Sequence, residues 1–316
     1  MTSDALTDIL SSLRLRGGVH FRCEFSAPWG MAMKASAVAE FHLVARGQCW
    51  LRLQQRKDAI PLLAGDVIVL PHGDAHALVD SPDGAAAPAE EVVGMQSLEH
   101  YGPVVSGGSG IPAEILCGYF DFDRVSRSPL IAALPRLIHL RTQDSGEFER
   151  LQTVVRFIGH ETRESRPGAG AVVQRLVEVL FVQVLRACIR QADVPRGILA
   201  ALGDTQIGSA LGLIHGAPEK PWSLADLGRQ VAMSRSAFAA RFAQLVGQPP
   251  MEYLALRRME KARELLRAGT LSTAAIAAAV GYQSEAAFGK AFKRVIGSSP
   301  GAYRRNARRP DRRGIR

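Results

Sequence analysis

The pattern of apolar and polar residues changes in character about 125 residues into the chain. Before that point, short apolar runs are bounded by Gly, Pro and Asp, which is typical of β-strands joined by turns. The runs are EFHLVA, CWLRLQ, DVIVLP and EILCGYFDF. After that point, apolar residues recur three or four positions apart, which indicates amphipathic helices. The pattern therefore predicts an α+β protein with a β-rich N-terminal part and a helical remainder.

Two helical segments near the C-terminus repeat each other at an offset of fifty residues. The first copy contains Ser234, Phe238, Phe242, Gly247, Pro250 and Tyr253, and the second contains Ser284, Phe288, Phe292, Gly297, Pro300 and Tyr303. The preceding segments, LADLGRQVAMS and TAAIAAAVGYQS, align when Gln283 is treated as an insertion. Each copy predicts a helix, a turn, a serine N-cap and a second helix whose phenylalanines share a buried face. This is a duplicated helix-turn-helix, and a generic helical bundle with the same buried phenylalanines is the alternative.

The second helix of each copy carries small and polar residues opposite its phenylalanines, as a helix that enters a DNA major groove requires. Basic residues beside it are suited to phosphate contacts, which fix register without reading sequence. The predicted DNA-binding residues are Arg235, Ser236, Ala239, Ala240, Arg241, Ser284, Glu285, Ala286, Gly289, Lys290, Lys293 and Arg304.

The second copy, IAAAVGYQSEAAFGKAFKRVIGSSPGAYRR, resembles the second motif of AraC/XylS-type bacterial transcription regulators. The resemblance extends over residues 205–306 and implies a DNA-binding domain with two helix-turn-helix motifs. The chain departs from the family pattern on the presumed reading face, where Ala286, Ala287 and Gly289 offer no side-chain hydrogen bonds.

Charge is distributed unevenly along the chain. From Asp204 onward there are nineteen Lys and Arg residues against eight Asp and Glu, a net charge of +11, whereas residues 1–203 carry a net charge of −2. The basic excess therefore coincides with the repeated motif, as phosphate binding requires. Residues 307–316 form a basic tail.

Residues 126–200 are predicted to be a helical linker, with helices over Pro129–Leu140 and Glu147–Gln191. An apolar stripe runs along the second of these, formed by Val173, Leu176, Val177, Leu180, Val184 and Ile189. A stripe this wide is buried either in the chain's own core or against a second copy of the chain.

Residues 1–125 are predicted to form a sensor domain. The stretches EFHLVARGQCWLRL and LLAGDVIVLPHGDAH resemble the cupin-like N-terminal domains of AraC-type regulators. This resemblance implies a β-barrel. The two upstream histidines that usually supply cupin metal ligands are absent, since that region has the sequence MAMKAS.

Four residues of the β-rich part could meet inside such a barrel: Cys23, His42, His76 and Cys117. The strands of Cys23 and Cys117 are the first and last of the barrel and can be neighbours when it closes. Together the four residues would form a Cys2His2 set suited to Zn²⁺. Alternatively, the thiols could sense oxidants, or the cysteines could be small core residues and His76 a hydrogen-bonded turn residue.

These patterns predict a sequence-specific transcription regulator that is not an enzyme and whose N-terminal barrel senses a small molecule, a metal or an oxidant. The competing function is a cupin metalloenzyme with a nucleic-acid-binding appendage. The expected partners are double-stranded DNA, RNA polymerase, an effector and a second copy of the chain. No cofactor is required, although Zn²⁺ would fit the barrel. No stretch reaches eighteen apolar residues, so no membrane association is expected. The acidic N-terminus and four widely spaced cysteines predict a cytoplasmic location.

Overall fold

The computed structural model describes residues 5–13, 15–94, 103–122, 129–141, 148–164, 166–191 and 197–307. The chain forms two compact units. One is Leu13–Ala192, and the other combines Met1–Ser12 with Asp193–Arg316. Apart from Ala307, the predicted basic tail lies outside the described residues.

The first unit is built on two β-sheets. Its strands are β1 (Arg16–Ser26), β2 (Gly30–Met33), β3 (Ala39–Arg46), β4 (Gln48–Leu53), β5 (Ile60–Leu63), β6 (Val67–Leu70), β7 (His76–Val79), β8 (Ala87–Pro88), β9 (Pro103–Gly107), β10 (Pro112–Asp121) and β11 (Ile138–Leu140). One sheet has the order β11-β6-β3-β10-β1-β9 and the other has the order β5-β4-β7-β2-β8. The four apolar runs predicted to be strands are confirmed as β3, β4, β6 and β10.

The helices lie in both units. They are α1 (Ala5–Ser12), α2 (Ala89–Val93), α3 (Pro129–Ala132), α4 (Phe148–Glu164), α5 (Ala169–Gln191), α6 (Ile198–Gly203), α7 (Thr205–Gly216), α8 (Leu224–Gln230), α9 (Arg235–Val246), α10 (Pro250–Ala268), α11 (Thr273–Ala279), α12 (Glu285–Ile296) and α13 (Pro300–Ala307). Within the described ranges, none of them is long and apolar enough to cross a membrane.

Strand β10 lies between β1 and β3 and joins distant parts of the chain. It is antiparallel to both, and Cys117 is opposite His42 on β3. Side chains from both sheets form one apolar core that includes Cys23, Ile115 and Cys117. The predicted pairing of the strands that carry Cys23 and Cys117 is confirmed.

The long helix α5 packs on the outer side of the six-stranded sheet. Val177 lies so close to β1 that a Cβ on Gly17 would be 2.4 Å from its Cγ1. The Phe181 ring lies 5.0 Å from the Phe120 ring, measured between centroids. Most of the predicted stripe is therefore buried inside this unit, which confirms core packing for Val173, Val177, Leu180 and Val184.

The prediction of a helix over Pro129–Leu140 is wrong beyond its first four residues. Only α3 is helical, and β11 pairs antiparallel with β6 instead. Pro135 lacks the N–H that a helix interior needs. Ile138 and Leu140 are buried on either side of His139, an alternation of period two that fits a strand.

In the helical unit, the two motif copies have the same aromatic contacts. The centroids of Phe242 and Tyr253 lie 5.7 Å apart, as do those of their counterparts in the second copy, Phe292 and Tyr303. Ser234 and Ser284 cap α9 and α12 as predicted, and Ser223 forms a capping box on α8. Between the copies lies the 19-residue helix α10.

Helix α1 belongs to this unit although it lies at the other end of the chain. Its Ala5 and Ile9 are buried. A Cβ on Gly212 of α7 would lie 3.7 Å from the Ala5 nitrogen, so the two helices are close together.

The turns inside the two motifs share one backbone shape but differ at one residue. Ala232 has a φ of 55°, and Gly281 at the matching position has a φ of 83°. The next residue in each turn donates its N–H to the preceding helix, Met233 to Gly228 and Tyr282 to Ala277. The first copy therefore places a strained alanine where the second copy has glycine.

We expect Ala232→Gly to stabilise the helical unit by about 0.5–1 kcal/mol, because left-handed strain exceeds the entropy cost of glycine. Gly281→Ala should destabilise it by about 2–3 kcal/mol, because the new Cβ would lie 2.5 Å from the Glu219 carbonyl oxygen. Denaturant unfolding of the fragment 197–316, followed by fluorescence of Trp222, measures both changes. Gly289→Ala is the control, since its Cβ meets nothing within 4 Å. Loss of stability in Ala232→Gly would contradict this account of the turn.

A buried histidine sits beneath the first motif. His215 Nε2 lies 2.7 Å from the Tyr253 hydroxyl, and the His215 side chain is enclosed. Burial lowers the pKa of His215 to about 3, and Arg257 acts in the same direction. The imidazole is therefore neutral near pH 7.

The unfolded chain binds a proton at His215 below about pH 6.5, while the folded chain does not until about pH 3. We therefore expect His215 to cost folding stability as the pH falls, by about 1.4 kcal/mol for each pH unit below 6.5. In His215→Gln, the amide can still accept from Tyr253 but does not titrate. The difference in unfolding free energy between the two fragments 197–316 should change by about 2 kcal/mol between pH 7 and pH 5. A difference that is constant over this range would disprove the assignment.

Candidate functional site

The exposed faces of α9 and α12 carry most of the predicted DNA-binding residues. Opposite them, Phe238, Phe242, Phe288 and Phe292 are fully buried. The exposed residues are Arg235, Ser236, Ala240, Arg241, Ser284, Glu285, Ala286, Lys290 and Lys293, and the partly buried ones are Ala239, Gly289 and Arg304. Ser284 also accepts a hydrogen bond from the Ala287 N–H at 3.2 Å as the N-cap.

Two of the predicted basic residues are already engaged within the unit. Arg241 forms an ion pair with Asp204, whose carboxylate also caps α7 through the Gln206 and Ile207 N–H groups. Arg304 donates to the Leu271 carbonyl oxygen at 2.7 Å. Their guanidinium groups therefore hold helices together inside the unit.

The other cations on these helices are available. Arg235 on α9, and Lys290, Lys293 and Arg294 on α12, are exposed and have no hydrogen bond or ion pair with the residues that the structure describes. Long basic side chains without protein partners are suited to contacts with phosphate or base edges.

A buried cluster lies between the two sheets of the first unit. His42 Nδ1 lies 3.0 Å from Cys117 Sγ, and His42 Nε2 lies 2.7 Å from His76 Nε2. Cys23 lies close enough to Cys117 to raise the pKa of that thiol. The four residues predicted from sequence therefore lie together, and we call them, with Glu40, the inner cluster.

Glu40 is the member that the sequence interpretation missed. Its Oε2 lies 3.8 Å from His76 Nε2. Glu40, His42 and His76 each offer one ligand atom, and these atoms lie within 4.8 Å of one another. The cysteines are outside this set. Glu40 and His42 are two residues apart on β3, so strand alternation could have placed both on the inner face.

The directions of the hydrogen bonds in the inner cluster follow from the contact of His76 with a backbone carbonyl group. His76 Nδ1 lies 2.8 Å from the Asp74 carbonyl oxygen, which can only accept, so Nδ1 carries the proton. His76 Nε2 must then accept from His42 Nε2–H. His42 Nδ1 in turn accepts from the Cys117 thiol. Cys117, His42 and His76 thus form a continuous chain of hydrogen bonds between neutral groups, which ends at the Asp74 carbonyl oxygen.

Burial favours these neutral forms. It lowers the pKa of His42 well below its usual value, and His76 and His20 act in the same direction. Burial also lowers the pKa of His76. The pKa of Cys117 is raised well above its usual value by burial and by Cys23. Both imidazoles are therefore poor bases here. Binding of a proton or a metal ion must offset the cost of placing a charge in a buried site.

Comparisons with known proteins cover both units. The cupin family matches residues 4–190, and a helix-turn-helix domain matches residues 227–306. A putative AraC-like transcription regulator of Streptomyces lividans is 32% identical over 97% of this chain and 100% of its own length. The HTH-type transcriptional regulator AlkR of Acinetobacter baylyi is 31% identical over 96% of this chain and all of its own length.

Two further similarities extend this set. The RCS-specific HTH-type transcriptional activator RclR of Escherichia coli is 25% identical over 96% of this chain and 98% of its own length. Among solved structures, the DNA-binding domain of AdpA in complex with a target DNA is 32% identical, with a TM-score of 0.32 over 34% of this chain and 98% of that one.

The relatives that match over their whole length are regulators of transcription, which fits a chain that is not an enzyme. In this chain the cupin match precedes the helix-turn-helix match. The chain belongs to the AraC-type transcription regulators with an N-terminal cupin domain, and it is a sequence-specific DNA-binding regulator of transcription.

Proposed function

We propose that α9 and α12 are the two helices that enter the major groove, with Arg235, Lys290, Lys293 and Arg294 as the principal basic contacts. The observation that carries this proposal is that these cations are exposed and unpaired within the described residues. Arg241 and Arg304 contribute less directly, because Asp204 and the Leu271 carbonyl already hold them.

Lys290 and Arg294 allow base reading to be separated from phosphate binding. Lys290 lies on the exposed face of the first half of α12, where recognition helices contact bases. We expect Lys290→Ala to weaken operator binding by about tenfold and random-DNA binding much less. Arg294→Ala should weaken both about equally and reduce the slope of log affinity against log salt by about one.

Fluorescence titrations of the full chain at several salt concentrations, on operator DNA and on scrambled DNA, measure these effects. Lys57→Ala, an exposed charge change in the other unit, is the control. Equal losses for Lys290→Ala on both DNAs would show that Lys290 does not read sequence.

We infer that the inner cluster is where the cupin unit senses a signal, with Zn²⁺ held by Glu40, His42 and His76. One carboxylate and two imidazoles form a ligand set typical of zinc sites that keep an open position. The ligands come from β3 of one sheet and β7 of the other, so the metal would link the two sheets. One relative is named as an RCS-specific activator. The thiols beside the ligands can be oxidised, so an oxidant is a second candidate for the signal.

The thiols are coupled to the ligands through His42. If His42 held a metal through Nε2, its ring proton would be on Nδ1, and Nδ1–H would donate to the Cys117 sulfur instead of accepting from the thiol. Cys117 in turn lies beside Cys23. Oxidation of either sulfur would therefore change the contact between Cys117 and the metal ligand His42.

We expect the purified chain to carry up to about one Zn²⁺, and Glu40→Gln or His76→Gln to lower zinc affinity by at least about tenfold. Cys23→Ser should abolish the transcriptional response while DNA binding persists, because the signal passes through the sulfur pair. Metal analysis, DNA titration and a reporter gene measure the three properties. Cys188→Ser, a cysteine on α5, is the matched control. Normal induction of Cys23→Ser would exclude the thiol, and a zinc-free protein that takes up no zinc would exclude the metal.

Exposed apolar side chains of the first unit suggest a further partner. Phe157 on α4, and Val172 and Val179 on α5, are exposed apolar side chains. We propose that a second copy of the chain covers them in a homodimer. RNA polymerase is the expected protein partner at promoters, and the cytoplasm is the expected location.

A further inference from the structure

A cavity of about 450 Å³ lies on the opposite side of the six-stranded sheet from the inner cluster. Its floor is formed by β1, β3 and β10, and α4 forms its wall. Leu43, Leu116 and Val155 give it an apolar surface. We call this space the outer cavity. Its volume is within the range of small-molecule sites, which is about 300–1,000 Å³.

The polar groups of the outer cavity are mainly cationic. Arg22, Arg156 and Arg163 line it, and Glu114 is the acid among the lining residues. Arg163 binds Glu114 through three hydrogen bonds, the shortest at 2.6 and 2.7 Å. Arg22 is also ion-paired, with Glu24 and Glu114, so the net positive charge of the cavity remains on Arg156.

Arg22 is the better enclosed of these two. Its side chain is 12% exposed, and its Nη1 lies 3.1 Å from Glu24 and 3.5 Å from Glu114. Among the described residues, its Nε is buried without a hydrogen-bond partner. A buried N–H without an acceptor is costly, and a carboxylate oxygen that reached it would remove that cost. Arg156, at the rim, has no ion pair with any described residue.

We propose that the outer cavity binds a small organic acid, with its carboxylate at Arg22 and Arg156 and its apolar body on Leu43, Leu116 and Val155. Guanidinium groups bind carboxylates in a planar, two-point geometry. An apolar floor beside one unpaired arginine, Arg156, and one arginine with an unsatisfied Nε, Arg22, selects a molecule with one charged end. A neutral apolar molecule would leave Arg156 unpaired, and a short acid would leave the floor exposed to water.

The position of the cavity makes it a second input to the strands of the inner cluster. Arg22 precedes Cys23 on β1, Leu43 follows His42 on β3, and Leu116 precedes Cys117 on β10. Neighbouring residues on a strand point to opposite faces. In each of these three pairs, a residue that lines the outer cavity is therefore directly bonded to a residue of the inner cluster. If binding shifts these strands, the two sites affect each other's affinity by the same factor. This coupling rests on the proposed sensing role of the inner cluster, whereas binding itself does not.

The test uses the full chain and 4-phenylbutanoate, an acid with an apolar body, in isothermal titration. We expect saturable binding of one molecule per chain. The matched alcohol, 4-phenyl-1-butanol, should bind at least tenfold more weakly, and butanoate should bind at least tenfold more weakly as well. Equal affinity for the acid and the alcohol, or no binding of the acid at millimolar concentration, would overturn the proposal.

Variants locate the site. Gly159 lines the cavity, and a Cβ placed there meets nothing within 4 Å, so Gly159→Leu fills the space without a clash at Cβ. We expect Gly159→Leu and Arg156→Gln each to lower affinity for the acid by at least tenfold, while Gly159→Ala and Arg56→Gln keep it. Unchanged binding in Gly159→Leu would place the acid elsewhere and overturn the assignment. Zinc content and DNA binding of the same proteins report on the proposed function separately.

Discussion

The antiparallel pairing of β10 with β1 and β3 is the contact on which the first unit depends. It joins β10 to strands that lie about 95 residues (β1) and about 75 residues (β3) earlier in the sequence, and it gives each of the three strands an inner and an outer face. The inner face carries Cys23, His42 and Cys117, and the outer face carries Arg22, Leu43 and Leu116. A shift of register by one residue on any strand would exchange these two sets. The register therefore fixes the chemistry on both sides at once.

The helical unit depends on a more local device that the chain uses twice. In each copy an aromatic pair on the second helix packs against a tyrosine some eleven residues further on, which sets the angle at which that helix leaves the core. Serine caps and left-handed glycines fix where the helix begins and ends. Because these contacts are local and repeated, the exposed face of each helix is free to vary without loss of fold.

The same difference explains what could be predicted from the sequence. The motif copies and their serine caps depend on residues close in sequence, and the repeat itself indicated them. The convergence of Cys23, His42, His76 and Cys117 was predicted from strand order in a closed barrel. The ion pair of Arg241 with Asp204 was not, because nothing in the local pattern indicates a contact across thirty-seven residues. Strand β11 was not predicted for a similar reason. Its three residues form a strand only because they pair with the edge of β6.

The packing of α1 on α7 has a consequence for how the chain is made. The two helices are about 200 residues apart, and at about 5–20 residues per second a ribosome needs roughly 10–40 s to synthesise the interval. Throughout that time the apolar side of α1, with Ala5 and Ile9, has no native surface to cover it. The cupin unit, whose residues lie entirely within the interval, can fold first. The helical unit is then completed when α7 meets a helix that was synthesised about 200 residues earlier.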